Sequence, residues 1–425
     1  MSDHRRDDRV SAHDRRYRRN KKRPAALIVL LILAVAAVIV SATLGSRRRA
    51  ADTGAGNDGA DASQGVAAEE PGHAGDAGTS AGSGAPEDPD VAGTAATQET
   101  APETEAAPHI QTVTISAAGD IALGTLQTHG YEGSLREMAE ENGTAYFLQN
   151  VRHVFEEDDM TLVNFEAVLT DSTEARTDQE FLIRGEPAWI AALPEGSVEA
   201  VGFSNNHDWD YLQRGWDDTV AAFESAGLVW SAEDHYGYYT TDEGITIGMV
   251  SVNKLNRLDE ARETLHRGIT ALREEGVDLV IAYIHTGVEM QYYPQDYEVQ
   301  MDHDCIDWGA DLVLNTHTHC LRGIEQYQGR FICYGLGNFC FGANRNPSDK
   351  DTMIYQQTWT FVDGLLQPDI DVHVEPCLIS STPGRNDYCP TTLTGSEYDR
   401  VLANINAYSA QFGTQFDANG DYAGE

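Results

Sequence analysis

The chain has 425 residues, with 29 Lys and Arg against 68 Asp and Glu, a formal net charge of −39 at pH 7. Residues 50–425 alone hold 64 acidic and 16 basic side chains, a net −48, which argues against a nucleic-acid partner and against capture of anionic lipid by this part. An anionic substrate there must be held by metal ions or by a few placed cations.

The N-terminus is built differently. Residues 1–24 carry ten Lys and Arg against four Asp, and residues 25–45, AALIVLLILAVAAVIVSATLG, hold no charge over 21 positions. That length crosses a bilayer as one helix. Arg47, Arg48 and Arg49 follow, but the larger positive excess precedes the span, which predicts a cytoplasmic N-terminus and an external remainder. No clean small-x-small site follows the apolar core, so an uncleaved single-pass membrane anchor is expected rather than a signal peptide. Residues 50–108 are Ala, Gly, Asp, Glu, Thr, Ser and Pro with almost no large apolar side chain. Such a segment cannot offset its chain entropy by burial, so residues 46–109 are expected to form a disordered acidic tether.

From there a domain over 110–385 is expected, with a C-terminal extension over 386–425. Thr112–Ala118 reads as a strand ending at Asp120. Ala145–Glu156 reads as helical and leads to a strand, Met160–Val163, ending at Glu166. Val198–Phe203 is a strand before Ser204-Asn205-Asn206-His207-Asp208. Gly215–Ala226 is a helix with Gly227 as its C-terminal residue. Ile245–Val252 is a strand, Leu258–Glu275 a helix, and Val277–Ile284 a strand ending at His285. Tyr297–Trp308 is a helix that feeds the short apolar run Leu312–Leu314. Arg322–Tyr327 and Arg330–Gly335, separated by Gln328-Gly329, read as a hairpin. Tyr355–Val362 and Ile370–Glu375 are strands, Ser396–Ala410 is a helix, and the final dozen residues read as a frayed acidic tail. The alternation predicts an α/β domain with a largely parallel centre.

After Leu314, His317 and His319 stand at i and i+2, where two imidazoles on extended backbone reach one metal centre. Alone the pair is unremarkable among 14 histidines. Five successive apolar runs, however, each end in a metal-competent group: Asp120, Glu166, Asn206 with His207, His285, and His317 with His319. One polar residue after a strand is ordinarily a cap or turn former. Five in order, on the sheet edge where α/β proteins bind ligands, are hard to explain as turns. Mixed oxygen and imidazole donors suit Mn, Fe or Zn. The six cysteines, Cys305, Cys320, Cys333, Cys340, Cys377 and Cys389, form no CxxC, and as an even set they permit fifteen complete disulfide pairings.

The segments AAGDIALG (117–124), VNFEAVLTD (163–171), FLIRGEP (181–187), SNNHDWDY (204–211), IHTGVEMQYYP (284–294) and the stretch through GLGNFCF resemble the CapA-type capsule (poly-γ-glutamate) synthesis proteins, a branch of the calcineurin-like metallophosphoesterase superfamily. The resemblance implies a four-layer α-β-β-α sandwich with a site for one or two divalent metal ions. It implies that Asp120, Glu166, Asn206, His285, His317 and His319 are the ligands, Glu166 bridging, with His207 as catalytic acid or base. Three departures stand out: Ala122 replaces the His of the superfamily's Asp-x-His motif, Thr286 replaces a Trp, and Thr125 replaces an Arg common just after the first motif. Three functions remain open. One is a metal-dependent hydrolase or transferase acting on a cell-envelope polymer, with poly-γ-glutamate implied. The others are an envelope phosphoesterase, and a non-catalytic accessory that binds the polymer or a membrane synthase complex.

Overall fold

The computed structural model of the protein describes residues 107–424, apart from Lys254 and Asn256. The basic segment 1–24, the apolar span 25–45 and the tether up to residue 106 lie outside the described residues. Among the described residues no helix is long and apolar enough to cross a membrane.

The fold is mixed α/β with three sheets. A nine-stranded sheet runs in the order Thr391–Thr392, Asp371–Leu378, Asp351–Val362, Ile110–Ala122, Met160–Phe165, Ala200–Gly202, Val229–Ser231, with Asn338–Phe341 and Leu365–Leu366 pairing off this path. A six-stranded sheet runs Ile324–Tyr327, Arg330–Cys333, Leu312–Thr316, Leu279–His285, Thr246–Asn253, Gly237–Thr240. A small third sheet joins Thr125–Leu126, Ile183–Gly185 and Val168–Leu169.

Apolar alternation along the strands decides which faces meet. Val113, Ile115, Ala117, Met160 and Leu162 share a buried cluster with Ile247, Met249, Leu279, Ile281, Leu312 and Leu314, so the two large sheets face each other. The intervening residues look the other way. Val250, Val252, Val280, Ala282 and Val313 pack on Leu265, Ile269 and Leu272 of the helix Leu258–Glu275 and on Met301 of the helix Asp296–Asp307. Val163, Phe165 and Val201 of the larger sheet pack on Phe223, from the helix Leu212–Ala226. Strands covered on both faces read as unbroken apolar runs, as LVIAYIH does, and each such Leu, Ile or Val contributes about 1.5–3 kcal/mol through burial.

The central strands are parallel in both sheets: Ile110–Ala122 with Met160–Phe165, Met160–Phe165 with Ala200–Gly202, Thr246–Asn253 with Leu279–His285, and Leu279–His285 with Leu312–Thr316. Their carboxyl ends therefore gather at one edge, which carries polar residues from both sheets. The Tyr283 hydroxyl donates to the Ala118 carbonyl at 3.3 Å and ties the two sheets just below that edge.

Several expectations need correction. Ala145–Glu156 is not one helix but a 3₁₀ turn, Thr144–Tyr146, and a short helix, Arg152–Phe155. Phe147, Leu148, Val151 and Phe155 are buried as the periodicity suggests, yet i→i+3 bonds such as Val151 to Leu148 tighten the segment. Asn150 is also drawn aside to Thr391. The C-terminal residues are docked rather than frayed: Thr414 and Phe416 are buried, Val374 N–H donates to Gly420, and Tyr422 N–H donates to Val372. All six cysteines are buried free thiols. The hairpin is present, with Gln328 and Gly329 both at positive φ (51° and 76°), as a primed two-residue turn requires. Gly227 closes its helix in the left-handed conformation.

Candidate metal centre

The nine-stranded sheet supplies Asp120 near the end of its first strand and Glu166 directly after Phe165. It also supplies Asn206 and His207, from the loop after Ala200–Gly202. The six-stranded sheet supplies His285 as the last residue of its strand, and His317 and His319 after Thr316. Asp120 and Glu166 are fully buried, and His285 is almost so.

These residues form two groups that share Glu166. Potential donor atoms of Glu166, His285 and His317 lie within 4.8 Å of one another, and so do those of Asp120, Glu166 and His319. Glu166 Oε1 is 3.7 Å from His285 Nε2 and 3.8 Å from His319 Nε2. The other ring nitrogen of His319 is 3.2 Å from Asp120 Oδ2. Asn206 Oδ1 stands 2.6 Å from His285 Nε2, so the amide joins the first group.

Electrostatics sharpen the grouping. Burial and the charge of Asp120 raise the Glu166 carboxyl well above its ordinary range. Burial lowers the His319 imidazole, but Glu166 and Asp120 outweigh it and push it up to about 9. His317, with burial first and His319 second, drops to about 3. His285 is driven well below its usual value by burial and the neighbouring imidazoles.

Glu166 Oε1 and His317 Nδ1 are buried with no hydrogen-bond partner among the described residues, and Asp120 Oδ2 and His319 Nδ1 face only each other, 3.2 Å apart. Each orphaned polar atom costs about 1–3 kcal/mol unless something satisfies it. A divalent cation satisfies several together and offsets the paired carboxylates. The donors fit one or two such ions of the Mn, Fe or Zn kind. Cys320 is not among them: its Sγ faces the Gln291 carbonyl, and burial pushes its thiol up to about 11.

The loop holding two of the imidazoles is strained. His317 and His319 sit at φ 88° and 53°, and non-glycine residues there cost on the order of 1–3 kcal/mol each. Hydrogen bonds from Met290 N–H to Thr318 and from Thr286 N–H to Thr316 hold the loop in place.

Sequence reasoning missed three supporting residues. Asn164 donates to Asp120 Oδ1 at 2.8 Å and reaches Glu166 Oε2 at 3.5 Å, spacing the two carboxylates. Asp210, fully buried, lies 2.7 Å from His207 Nδ1 and also accepts from Ile183 N–H. A carboxylate only accepts, so His207 carries its hydrogen on Nδ1 and turns Nε2 toward Glu166, 4.0 Å away. The i, i+3 spacing of His207 and Asp210 was the available signal. Asn338 is the third.

The chain is 26% identical over 245 residues to the PGA biosynthesis protein CapA of Bacillus subtilis (strain 168), covering 53% of this chain and 62% of that protein. It is 24% identical over 268 residues to the capsule biosynthesis protein CapA of Bacillus anthracis, covering 57% and 63%. A probable polyglutamine synthesis accessory protein of Mycobacterium tuberculosis (strain ATCC 25618 / H37Rv) matches at 24% over 208 residues, 42% of this chain and 55% of that one. The chain thus spans less than two thirds of the length of these curated relatives. The model of the bacterial capsule synthesis protein family PGA_cap matches residues 114–343, more than half of the 425, and the chain belongs to that family.

Proposed function

We propose that the chain is a membrane-anchored, extracellular protein that makes or processes capsular poly-γ-glutamate as a metal-dependent hydrolase or transferase. The observation that carries this reading is the pair of ligand groups meeting at Glu166. The names of the CapA relatives supply the polymer. Two sheets face to face, each with helices on its outer side, are what a four-layer α-β-β-α metallophosphoesterase-like sandwich requires. The anchor is the apolar span 25–45, with residues 1–24 cytoplasmic.

In this reading Asp120, Glu166 and His319 hold one ion, while Glu166, Asn206, His285 and His317 hold the other. Bound there, a divalent ion would supply Lewis-acid chemistry toward a carbonyl or phosphoryl oxygen. The protein residues do the rest. Asn164 keeps Asp120 and Glu166 apart and oriented. Asp210 fixes the ring of His207, whose Nε2 handles the proton of the attacking or leaving group. Burial of the floor excludes bulk water and strengthens each of these interactions.

Metal analysis of the purified external domain, paired with hydrolysis assays on poly-γ-glutamate and on phosphate esters, tests the reading. Bound metal with polymer cleavage or transfer is expected, and a preference for phosphate esters would favour an envelope phosphoesterase. A wild type free of metal, indistinguishable from His317→Ala and His319→Ala, overturns the catalytic reading in favour of a polymer- or synthase-binding accessory. Protease added to intact protoplasts tests the topology, and removal of the domain is expected.

A further inference from the structure

Position 122 is where the half of the centre built on Asp120 loses an imidazole. Ala122 is fully buried, and its register partner is Phe341, whose ring stands 4.9 Å from that of His319. Counted by donors, one half has Glu166, His285, His317 and the Asn206 amide, whereas the other has Asp120, Glu166 and His319. The short half has an unused neighbour.

Asn338 opens the strand Asn338–Phe341, which pairs in parallel with Ile110–Ala122, and its register partner is Asp120 itself. Register partners in a parallel pair project to the same face, so the Asn338 and Asp120 side chains stand side by side. The approach is unusually close. Asp120 N–H donates to Gly337 O at 2.9 Å, and a Cβ built on Gly119 would come within 2.0 Å of that same oxygen. The ladder shifts register between Asp120 and Ala122, a bulge of the kind that re-aims side chains beside a site.

Asn338 is only 4% exposed. Its Nδ2 donates to the His319 carbonyl at 3.4 Å, and its Oδ1 has no hydrogen-bond partner. The amide cannot be the other way round, because a carbonyl oxygen does not donate to a carbonyl oxygen. A buried amide oxygen is thus left free beside Asp120, tethered to the backbone of a second ligand residue.

We infer that Asn338 Oδ1 is the fourth ligand of the ion held by Asp120, Glu166 and His319, in the coordination place left by Ala122. Each ion then takes four protein donors, one of them an amide oxygen: Asn206 on one side, Asn338 on the other. This inference rests on the metal-centre reading above.

Metal affinity and stoichiometry of the external domain with Mn²⁺, measured by titration calorimetry and elemental analysis, test it with four proteins: wild type, Asn338→Ala, Asn338→Asp and Asn338→Ala combined with Ala122→His. Asn338→Ala should weaken the second ion at least tenfold and leave the first unchanged. Asn338→Asp keeps an oxygen donor and adds charge, so it should bind the second ion at least as well as wild type. Ala122→His should restore binding to Asn338→Ala. A purely structural Asn338, acting through its bond to the His319 carbonyl, predicts instead that the Asp variant fails like the Ala variant, since neither side chain can donate. That result, or an Asn338→Ala protein that binds both ions normally, overturns the inference and leaves the metal centre standing. A wild type that binds no Mn²⁺ removes both. If Asn338→Ala does not fold, the Asp variant still decides, because the two roles predict opposite shifts for it.

Discussion

The two halves of the centre share one carboxylate yet treat protons in opposite ways. Around His285 and His317, Glu166 is the only carboxylate of the group and the imidazoles crowd one another, so His317 stays neutral down to about 3. Around Asp120 and His319, burial is outweighed by two carboxylates, and the imidazole keeps its proton up to about 9. A few ångströms and one extra carboxylate reverse the preference. An ion entering the Asp120 half at neutral pH would therefore displace a proton from His319, whereas one entering the other half would find its two imidazoles already neutral.

The comparison collapses if the shared atom is removed, which gives the largest expected effect. Glu166→Ala should lower affinity for both ions by more than the roughly 10–100-fold that loss of an outer-shell partner costs, as read by calorimetry. Next, His317→Ala should remove the ion of the imidazole-rich half alone, and Ala122→His should raise the metal content of the Asp120 half. Equal losses in both halves would show that the two groups act as one.

Gly119→Ala separates the halves structurally. The new Cβ would meet Gly337 O at 2.0 Å beside Asp120 and far from His285 in the chain. We expect a destabilisation of about 1–3 kcal/mol in chemical denaturation, with weaker binding in the Asp120 half only. The smallest effect is on pH dependence after chelation. His319 is raised from 6.5 to about 9, so the proton favours the fold: that stability is fully present below about 6.5 and is lost as pH climbs through 9. His317 is lowered to about 3, so its contribution is present above 6.5 and is lost as pH falls toward 3. Proton NMR of the two rings in the metal-free domain checks this, and two ordinary histidine titrations would refute it.

How far the sequence reveals this centre depends on which forces place each residue. The helix Leu258–Glu275 has the same limits in the sequence reading and in the structure, because an amphipathic stripe ending at Gly276 is local information. The seven candidate residues are legible for a related reason: each follows an apolar run, and parallel strands carry those ends to one edge. Asp210, Asn164 and Asn338 are not legible in that way. They are short polar residues in ordinary turn or strand positions; Asp210 offers only its i, i+3 spacing to His207, and the partners of Asn164 and Asn338, Asp120 and the His319 carbonyl, are distant in sequence. The very short strands Val229–Ser231 and Gly237–Thr240 escape for want of length, since their pairing is settled by neighbours rather than by their own pattern. The assignment of strands to two facing sheets is likewise a tertiary fact.

The docked C-terminus has a consequence for how copies of this protein meet. The strand Asp371–Leu378 would be an open margin of the nine-stranded sheet, with peptide groups ready to template another chain. Thr391–Thr392 occupies its far part at Cys377 and Leu378, and the Gly420–Tyr422 segment occupies the near part at Val372 and Val374. The last residues thus act as a selvedge, blocking the addition of a foreign strand. Covering the peptide groups of Val372 and Val374 in this way leaves fewer of them open to another copy of the chain. Trimming residues 414–425 should bring concentration-dependent association, visible by light scattering, before any loss of the metal centre.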